Sequence, residues 1–466
     1  MKAVKLNIKP FLLTSIITFR SESEINCHTK GFIKGVISAV QEKENMDFLQ
    51  KKNFIQIEAE DENGLPLSMF NGKITGFHIR KQNEVRVLEL SFAGDTKQMD
   101  YQPITHSFQE PNLRYRNILD NFGPYSNYAF IMDSRYEDIE IKDPIVQHKE
   151  TDWDFAIRLA SHFNSVIVPD DTVPGIKYYF GLPKTSEVMQ VQNSEYRATK
   201  DLSRYNLLRS TGVDQITEND FITYEFIDRE IYKLGQEVIF QERNMFVSKI
   251  TAEWIGQELV NRYILKSKNG LKQSRIFADV SGVNLEGRVS NVTKDKVQIE
   301  LICDENNPIC GHRWIDFATV YSTPDGSGWY AMPEIGDAIH LYFPNDYERD
   351  FYVMNAIHKE PHFTNSRIDP DRKSFRNIHG KELVMTPDKM IMTNNKGMSV
   401  TLDDGAGISI VSDKSVNVTA TDSISIISNN SSVTVAGATS VDIEQENSAI
   451  RLTDDVVFKG TEMHVQ

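Results

Sequence analysis

Residues 415–426 read SVNVTATDSISI, a stretch with no aromatic side chain and a single charge. Its aliphatic residues form two i, i+2 pairs, Val416/Val418 and Ile424/Ile426, which lie eight residues apart. Alternation with a period of two is typical of a β-strand that buries one face. The stretch therefore predicts two short strands that are separated by a polar turn.

The same pair of aliphatic residues recurs from residue 400 to residue 452 at intervals of eight or nine residues. A fixed interval of this kind is the signature of an internal repeat. Disordered segments are poor in β-branched residues, so the pattern indicates an ordered array rather than a low-complexity linker. The predicted inward-facing positions are Val400, Leu402, Ile408, Ile410, Val416, Val418, Ile424, Ile426, Val433, Val435, Val441, Ile443, Ile450 and Leu452.

Two inward side chains per strand are too few to fill the core of a β-helix that one chain builds alone. Eight residues, turn included, make a face only about 25 Å wide. Three interwound chains solve the problem, because each chain supplies one face per layer and every strand edge pairs with a strand of the next chain. We therefore expect residues 381–466 to form an intertwined, homotrimeric β-helix needle whose aliphatic side chains meet on a threefold axis.

The rest of the chain also reads as mainly β. Residues 1–270 show alternating strands and a few helices, the clearest of which begins at Thr151, where the side chain can cap the helix. Five short strands within 276–360 fit a compact barrel such as an OB-fold. Residues 361–380 are polar and contain prolines, which predicts a linker or strap before the needle at 381–466.

Charge and composition exclude several classes of function. The 466 residues carry a formal net charge of −15, so nucleic acid and anionic lipid are poor partners. The three cysteines, Cys27, Cys303 and Cys310, are too few and too scattered for a disulfide framework. Cys303 and Cys310 with His312 lack a fourth ligand, so no metal site is expected. The common motifs of nucleophilic, phosphate-binding and zinc chemistry do not occur, which predicts no enzyme and no cofactor.

Targeting signals are also weak. No apolar run approaches the ~20 residues that span a bilayer. Residues 11–19, FLLTSIITF, follow two lysines but lack a small-residue cleavage site, so we predict a first β-strand rather than a signal peptide. Synthesis in the cytoplasm without a signal peptide is the expectation.

Two stretches resemble the VgrG spike proteins and the related hubs of phage tails. The first is QHKETDWDFAIRLASHF, which is similar to the Q-x-x-E-T-D-x-x-F-x-x-R-L helix start of that family. The second is GSGWYAMPEIGDAIHLYFPNDYERDFYVMNAIH, which resembles the family's OB domain, although Asp350 and Phe351 stand where relatives usually have Arg-Pro. The matching residues are Gln147, Glu150, Thr151, Asp152, Phe155, Arg158 and Leu159 in the first stretch, and Gly328, Trp329, Pro333, Gly336, Asp337 and Phe343 in the second.

The resemblance implies the central homotrimeric spike of a contractile injection machine, of the type VI, phage tail, tailocin or extracellular particle kind. Residues 1–270 would be a tail-hub adaptor of two barrel-like subdomains, seated on a hexameric inner-tube protein of the Hcp type. Baseplate proteins are further expected partners. The spike would be assembled in the apparatus, ejected outward during contraction, and meet the target membrane only transiently.

The tip of the needle is the expected docking site for a PAAR-like protein. The residues implied are Met463, His464 and Val465. Three copies of His464 would meet at the tip of a trimer, but the sequence lacks the His-x-His pattern that binds metal in some phage spikes, so a docking face is expected instead.

A trimeric β-helical fibre that binds a receptor is the alternative function. Recognition by a fibre would require aromatic or variable loops along the shaft. Residues 381–466 contain Phe458 as their only aromatic residue, which favours the spike.

Overall fold

A computed structural model describes residues 5–60, 64–185, 188–304, 310–359, 367–452, 456–459 and 461–462. The chain divides into two compact units, residues 1–359 and residues 360–466. Strands dominate both units, and the mainly β class predicted from the sequence, a hub followed by a needle, is confirmed.

The first unit contains most of the strands and the described helices. Its α-helices are α1 (Ala39–Leu49), α2 (Tyr115–Asp120), α3 (Asp152–Ser161) and α4 (Leu202–Ser210). Short 3₁₀ helices span Asp95–Asp100, Glu218–Phe221, Asn269–Leu271, Ile302–Asp304 and Glu348–Asp350. The strands are β1 (Lys5–Lys9), β2 (Ser15–Glu24), β3 (Lys30–Ile37), β4 (Phe54–Glu60), β5 (Pro66–Gln82), β6 (Val85–Gly94), β7 (Ile104–Phe108), β8 (Tyr128–Met132), β9 (Ile145–Glu150), β10 (Ile167–Pro169), β11 (Ile176–Phe180), β12 (Met189–Gln190), β13 (Tyr196–Lys200), β14 (Ile222–Asp228), β15 (Glu237–Phe240), β16 (Arg243–Ile255), β17 (Glu258–Lys266), β18 (Asn284–Thr293), β19 (Lys296–Leu301), β20 (Ile315–Asp316), β21 (Ala338–Tyr342) and β22 (Tyr352–Ile357).

A 12-stranded sheet forms the hub. Its order is β1-β4-β5-β6-β3-β2-β16-β17-β14-β13, with β15 on β16 and β12 on β15. The antiparallel pairing of β2 with β16 joins an N-terminal arm to a C-terminal arm, and each arm packs its own aliphatic and aromatic core. Of residues 11–19, predicted as the first strand, only the part from Ser15 onward is a strand, and β1 precedes it. Two barrel-like subdomains remain a prediction.

Helix α3 is the centre of the remaining hub core. The Thr151 side chain accepts a hydrogen bond from the Asp154 backbone N–H at 3.2 Å, so the predicted N-cap is confirmed. The apolar face of the helix buries Trp153, Phe155 and Leu159 against the strands β8, β10 and β11. This packing fixes the polar side chains at the start of the helix.

The last part of the first unit is a five-stranded sheet of order β20-β19-β18-β21-β22. A parallel bridge between Phe317 and Val353, with Ala318 N donating to Val353 O at 2.8 Å, links the segment after β20 to β22. The two ends of the sheet therefore meet. Alternating side chains such as Val297, Ile299 and Leu341 fill the interior.

All regular secondary structure among the described residues of the second unit is strand. They are β23 (Lys373–Arg376), β24 (Glu382–Met385), β25 (Lys389–Thr393), β26 (Ser399–Asp403), β27 (Gly407–Val411), β28 (Val441–Gln445), β29 (Ser448–Leu452) and β30 (Val456–Lys459). Strands β23 to β27 form an antiparallel meander, and β28 to β30 form a second one. Strand β23 lies in the segment predicted as a linker or strap.

The pairing within the two meanders corrects one expectation. The sequence predicts that every needle strand pairs with another chain, but β24, β25, β26 and β29 are paired on both edges within this chain, so the prediction is wrong there. The cause is turn chemistry. Gly397 and Gly407 adopt φ of 98° and 86°, and Asp403 Oδ1 accepts from the backbone N–H groups of Gly405 (3.0 Å) and Ala406 (2.9 Å). Such turns reverse the chain, and neighbouring strands then pair as hairpins.

Candidate functional site

A row of exposed aliphatic side chains runs through the second unit. Of the fourteen predicted inward-facing residues, Val400 and Val441 are half-buried and the others are exposed. Monomeric proteins rarely leave such a continuous apolar surface in water. The row is therefore the candidate functional site, and its chemistry is that of an interface.

The middle of the row has the least support from its own chain. Between β27 and β28, the described residues 412–440 form no strand pairing within the chain. Val418 is 72% exposed and Ile426 is 73% exposed. Buried backbone N–H and C=O groups need hydrogen-bond partners. A chain that buried this stretch would therefore also have to supply partners for its backbone groups.

The first meander carries the row on one face. Leu383, Met392, Val400 and Ile410 stand directly opposite one another on successive strands, and Phe375 continues the line on β23. These residues line an open apolar groove of about 540 Å³. Sequence reasoning did not include Phe375 and Leu383 among the inward-facing positions, although Phe375 lies eight residues before Leu383 and Leu383 nine before Met392.

The family-like motif in the hub forms a buried ionic cluster around Arg158, which is 1% exposed. Its Nε donates to both carboxylate oxygens of Glu150, at 3.1 and 3.0 Å, and Nη1 donates to those of Glu348, at 3.3 and 3.4 Å. Nη2 donates to the Val146 carbonyl at 2.7 Å, and the Val146 N–H donates to Glu348 Oε1 at 2.6 Å. The guanidinium thus joins α3, β9 and the five-stranded sheet.

The neighbouring carboxylates keep Arg158 charged. Burial by itself would lower the pKa of Arg158, but the carboxylates of Glu348 and Glu150 outweigh it and hold that pKa above its usual range. Burial also raises the pKa of Glu150, although Arg158 opposes the shift. Sequence reasoning identified Glu150 and Arg158 but missed Glu348, for which no local signal exists.

The other residues of the motif brace the start of α3. Gln147 Nε2 donates to the Glu150 carbonyl and to Asp152 Oδ1, both at 3.0 Å, and Tyr125 Oη donates to Asp152 Oδ2 at 2.7 Å. Phe155 and Leu159 are fully buried in the core. The motif residues therefore lie together in the structure and hold the start of α3 in place. They do not line an open reactive site.

The residues of the second motif shape the five-stranded sheet. Gly328 adopts φ of 133°, and a Cβ there would lie 2.3 Å from the Tyr321 carbonyl oxygen. Gly336 adopts φ of 94°, and Asp337 Oδ2 accepts from the Glu334 N–H at 2.8 Å. Phe343 is buried in the core. These residues form turns and core, and Pro333 and the exposed Trp329 lie on the connecting segment before β21.

Other predicted positions have simple outcomes. Met463, His464 and Val465, the predicted tip residues, lie outside the described residues. Cys303 and Cys310 are free thiols, as is Cys27. In the described part of the chain, no cluster of three or more His, Cys, Asp or Glu side chains could hold a metal ion. The described helices include none that is both long and apolar enough to cross a bilayer.

A buried carboxyl in the hub was not anticipated from the sequence. Asp171 follows β10 and is 8% exposed. Burial raises its pKa from an ordinary 3.8 to about 7, a hydrogen bond with Thr29 opposes the shift, and the carboxylates of Asp170 and Asp95 add to it. Near neutral pH this group is therefore poised between its two protonation states.

The Asp171→Asn variant is expected to flatten the pH dependence of stability. A group whose pKa is raised on folding contributes stability that is complete below its unfolded pKa and is lost as pH rises through the folded pKa. Between pH 5 and pH 8 the wild type should lose roughly 2.5 kcal/mol of unfolding free energy that the variant keeps. The measurement is urea unfolding followed by tryptophan fluorescence, which reports the first unit because all four tryptophans lie in it. Asp325→Asn, in an exposed turn, is the matched control, and equal slopes for wild type and Asp171→Asn would contradict the account.

Solved structures of similar fold exist, although no sequence relative was found. No protein-family model matches the chain, and no curated protein is significantly similar to it. An E. coli component of the type VI secretion system, itself similar to the T4 bacteriophage tail proteins gp27 and gp5, aligns with a TM-score of 0.53 at 14% identity over 76% of this chain and 99% of its own. A chain of the lidless PdpA–VgrG complex aligns with 0.54 at 11% identity, over 87% and 97%.

The lidded form of the Francisella PdpA–VgrG complex gives the same score, 0.54, at 10% identity over 87% of this chain and 79% of that chain. At these identities the likeness is one of fold. The chain therefore shares its fold with a component of the type VI secretion system and with chains of the PdpA–VgrG complex.

Proposed function

We propose that the protein is the central homotrimeric spike of a contractile injection machine, which caps the inner tube and punctures the target envelope during contraction. The observation that carries the proposal is the exposed aliphatic row of the second unit, with its unpaired stretch at 412–440. Two further copies of the chain would bury this row on a threefold axis. The fold shared with type VI and phage tail proteins supports the same assignment.

The five-stranded sheet is proposed to be an OB-fold between hub and needle. The parallel bridge from Phe317 to Val353 supports closure of the sheet into a barrel. The buried contacts of Arg158 with Glu150 and Glu348 would hold the barrel rigidly to α3. A rigid connection would let the hub and the barrel move as one body under the axial force of contraction.

The action is mechanical, and no enzymatic step, metal or cofactor forms part of the proposal. Hydrophobic burial on the axis and continuous strand pairing would give a rod that resists unfolding under load. The partners proposed are a hexameric Hcp-like tube protein at the hub, baseplate proteins, and a PAAR-like protein at the tip. Assembly in the cytoplasm and outward ejection follow from that role.

Tube capping tests the proposal directly. The chain is co-expressed with a tube protein of the Hcp type, and the particles are imaged by negative-stain electron microscopy. We expect one copy of the trimer at a single end of each tube. A variant lacking residues 360–466 is the control, because it should lose the protruding rod. Tubes with bare ends, or decoration along their sides, would contradict the proposal.

A further inference from the structure

The hub contains a partly open cavity of about 280 Å³ where the two arms of the sheet join. Its floor comes from β2, β16 and β17, and four of the six floor residues are small or polar where a sheet core would normally hold large aliphatic side chains. An engineered apolar cavity of about 150 Å³ suffices for benzene, so this space can hold a small organic molecule. The floor residues are Ser21, Ser23, Ile250, Ala252, Asn261 and Tyr263.

Two side chains that line the cavity have hydrogen-bond acceptor capacity that the described residues of the protein do not fill. Asn261 is 1% exposed, and its amide nitrogen makes one long hydrogen bond, 3.4 Å, to the Glu230 carbonyl. Within the described part of the chain its amide oxygen has no hydrogen-bond partner. Asp171, which also lines the cavity, receives a hydrogen bond from Thr29. Buried acceptors of this kind favour a ligand that donates hydrogen bonds.

The local charge is negative. The carboxylates of Asp170 and Asp95 act on Asp171, and neutral donors hold both: Thr172 Oγ1 donates to Asp170 at 2.6 Å, and the Gly175 N–H donates to Asp95 at 2.9 Å. Among the described residues that line the cavity, Lys233 is the only cation, and it is exposed. The buried end of the cavity therefore favours a cation.

We propose that the cavity binds a small organic cation that carries a primary ammonium group. Its N–H groups would donate to the Asp171 carboxylate and the Asn261 amide oxygen. A bare metal ion fits less well, because no set of three metal-binding side chains lies in the described residues. This site is independent of the spike assignment.

Calorimetry on the full chain tests the proposal with 1,4-diaminobutane as the probe and 1,4-butanediol as its neutral match. At pH 6.5 we expect saturable binding of the diamine, at least tenfold tighter than that of the diol. The ammonium selects the ionised carboxylate, so binding should release up to about one proton per ligand. Titration in two buffers of different ionisation enthalpy measures that proton.

Two variants decide where the probe binds. Asp171→Asn should weaken diamine binding at least tenfold and abolish proton release, and Asn261→Leu should weaken binding without altering the pKa of another group. Asp325→Asn should bind as the wild type does. Equal affinity for diamine and diol, no saturation, or unchanged binding in both cavity variants would overturn the proposal and leave a cavity filled by water only.

Discussion

The Val418→Asp variant should be unable to trimerise, while each chain still folds. Val418 is 72% exposed in the single chain, so the new carboxylate costs the isolated chain little. In the proposed trimer three copies would lie on the axis, away from water and without a cation. Burial of unpaired charges costs several kcal/mol each, so together they cost on the order of 10 kcal/mol.

The neighbouring Asn417→Asp variant is the matched control. Because side chains alternate along a strand, residue 417 faces away from the proposed axis. Both variants add the same charge, one position apart, and multi-angle light scattering measures their masses. We expect Asn417→Asp to remain trimeric and Val418→Asp to be monomeric at pH 7.5. A trimer in both cases would show that Val418 does not lie on the axis.

The Arg158→Met variant should destabilise the first unit by about 3–5 kcal/mol, because removing one member of a buried ion cluster leaves the others without a counter-charge. Glu150 and Glu348 would then be buried beside each other without the guanidinium. Urea unfolding followed by tryptophan fluorescence measures the change. Adding Glu348→Gln to the variant should recover part of the loss, since one unpaired charge disappears.

Arg135→Met provides the comparison for an exposed ion pair. Arg135 contacts Asp133 at 2.6 Å, but its side chain is 54% exposed, so the loss should be under about 1 kcal/mol. If Arg158→Met costs no more than Arg135→Met, the cluster does not hold α3 to the barrel. The proposal that the hub and the barrel move as one rigid body would then lose its main support.

Local signals in the sequence were sufficient for much of this structure. The N-cap at Thr151 depends on neighbours within one helical turn, and it was predicted. The aliphatic pairs from Val416 to Ile426 depend on a repeat that is visible without any partner. The mainly β class follows from the same short-range alternation.

Long-range pairings were not predictable. Glu348 lies 190 residues from Arg158, and nothing near either residue indicates the other. The meander of β23 to β27 depends on turns at residues such as Gly397. The eight-residue interval carries no information about the backbone conformation of these turn residues. Asp171 becomes unusual only because residues distant in the sequence, such as Thr29 and Asp95, lie close to it in the fold.

The mass of the purified wild-type chain in solution is the most direct test of the central claim, that the aliphatic row is an interface among three copies. Size-exclusion chromatography with multi-angle light scattering measures it without labels. The account predicts a single species of three times the chain mass of 53.3 kDa. A monodisperse species of 53.3 kDa, with the row left in water, would contradict it.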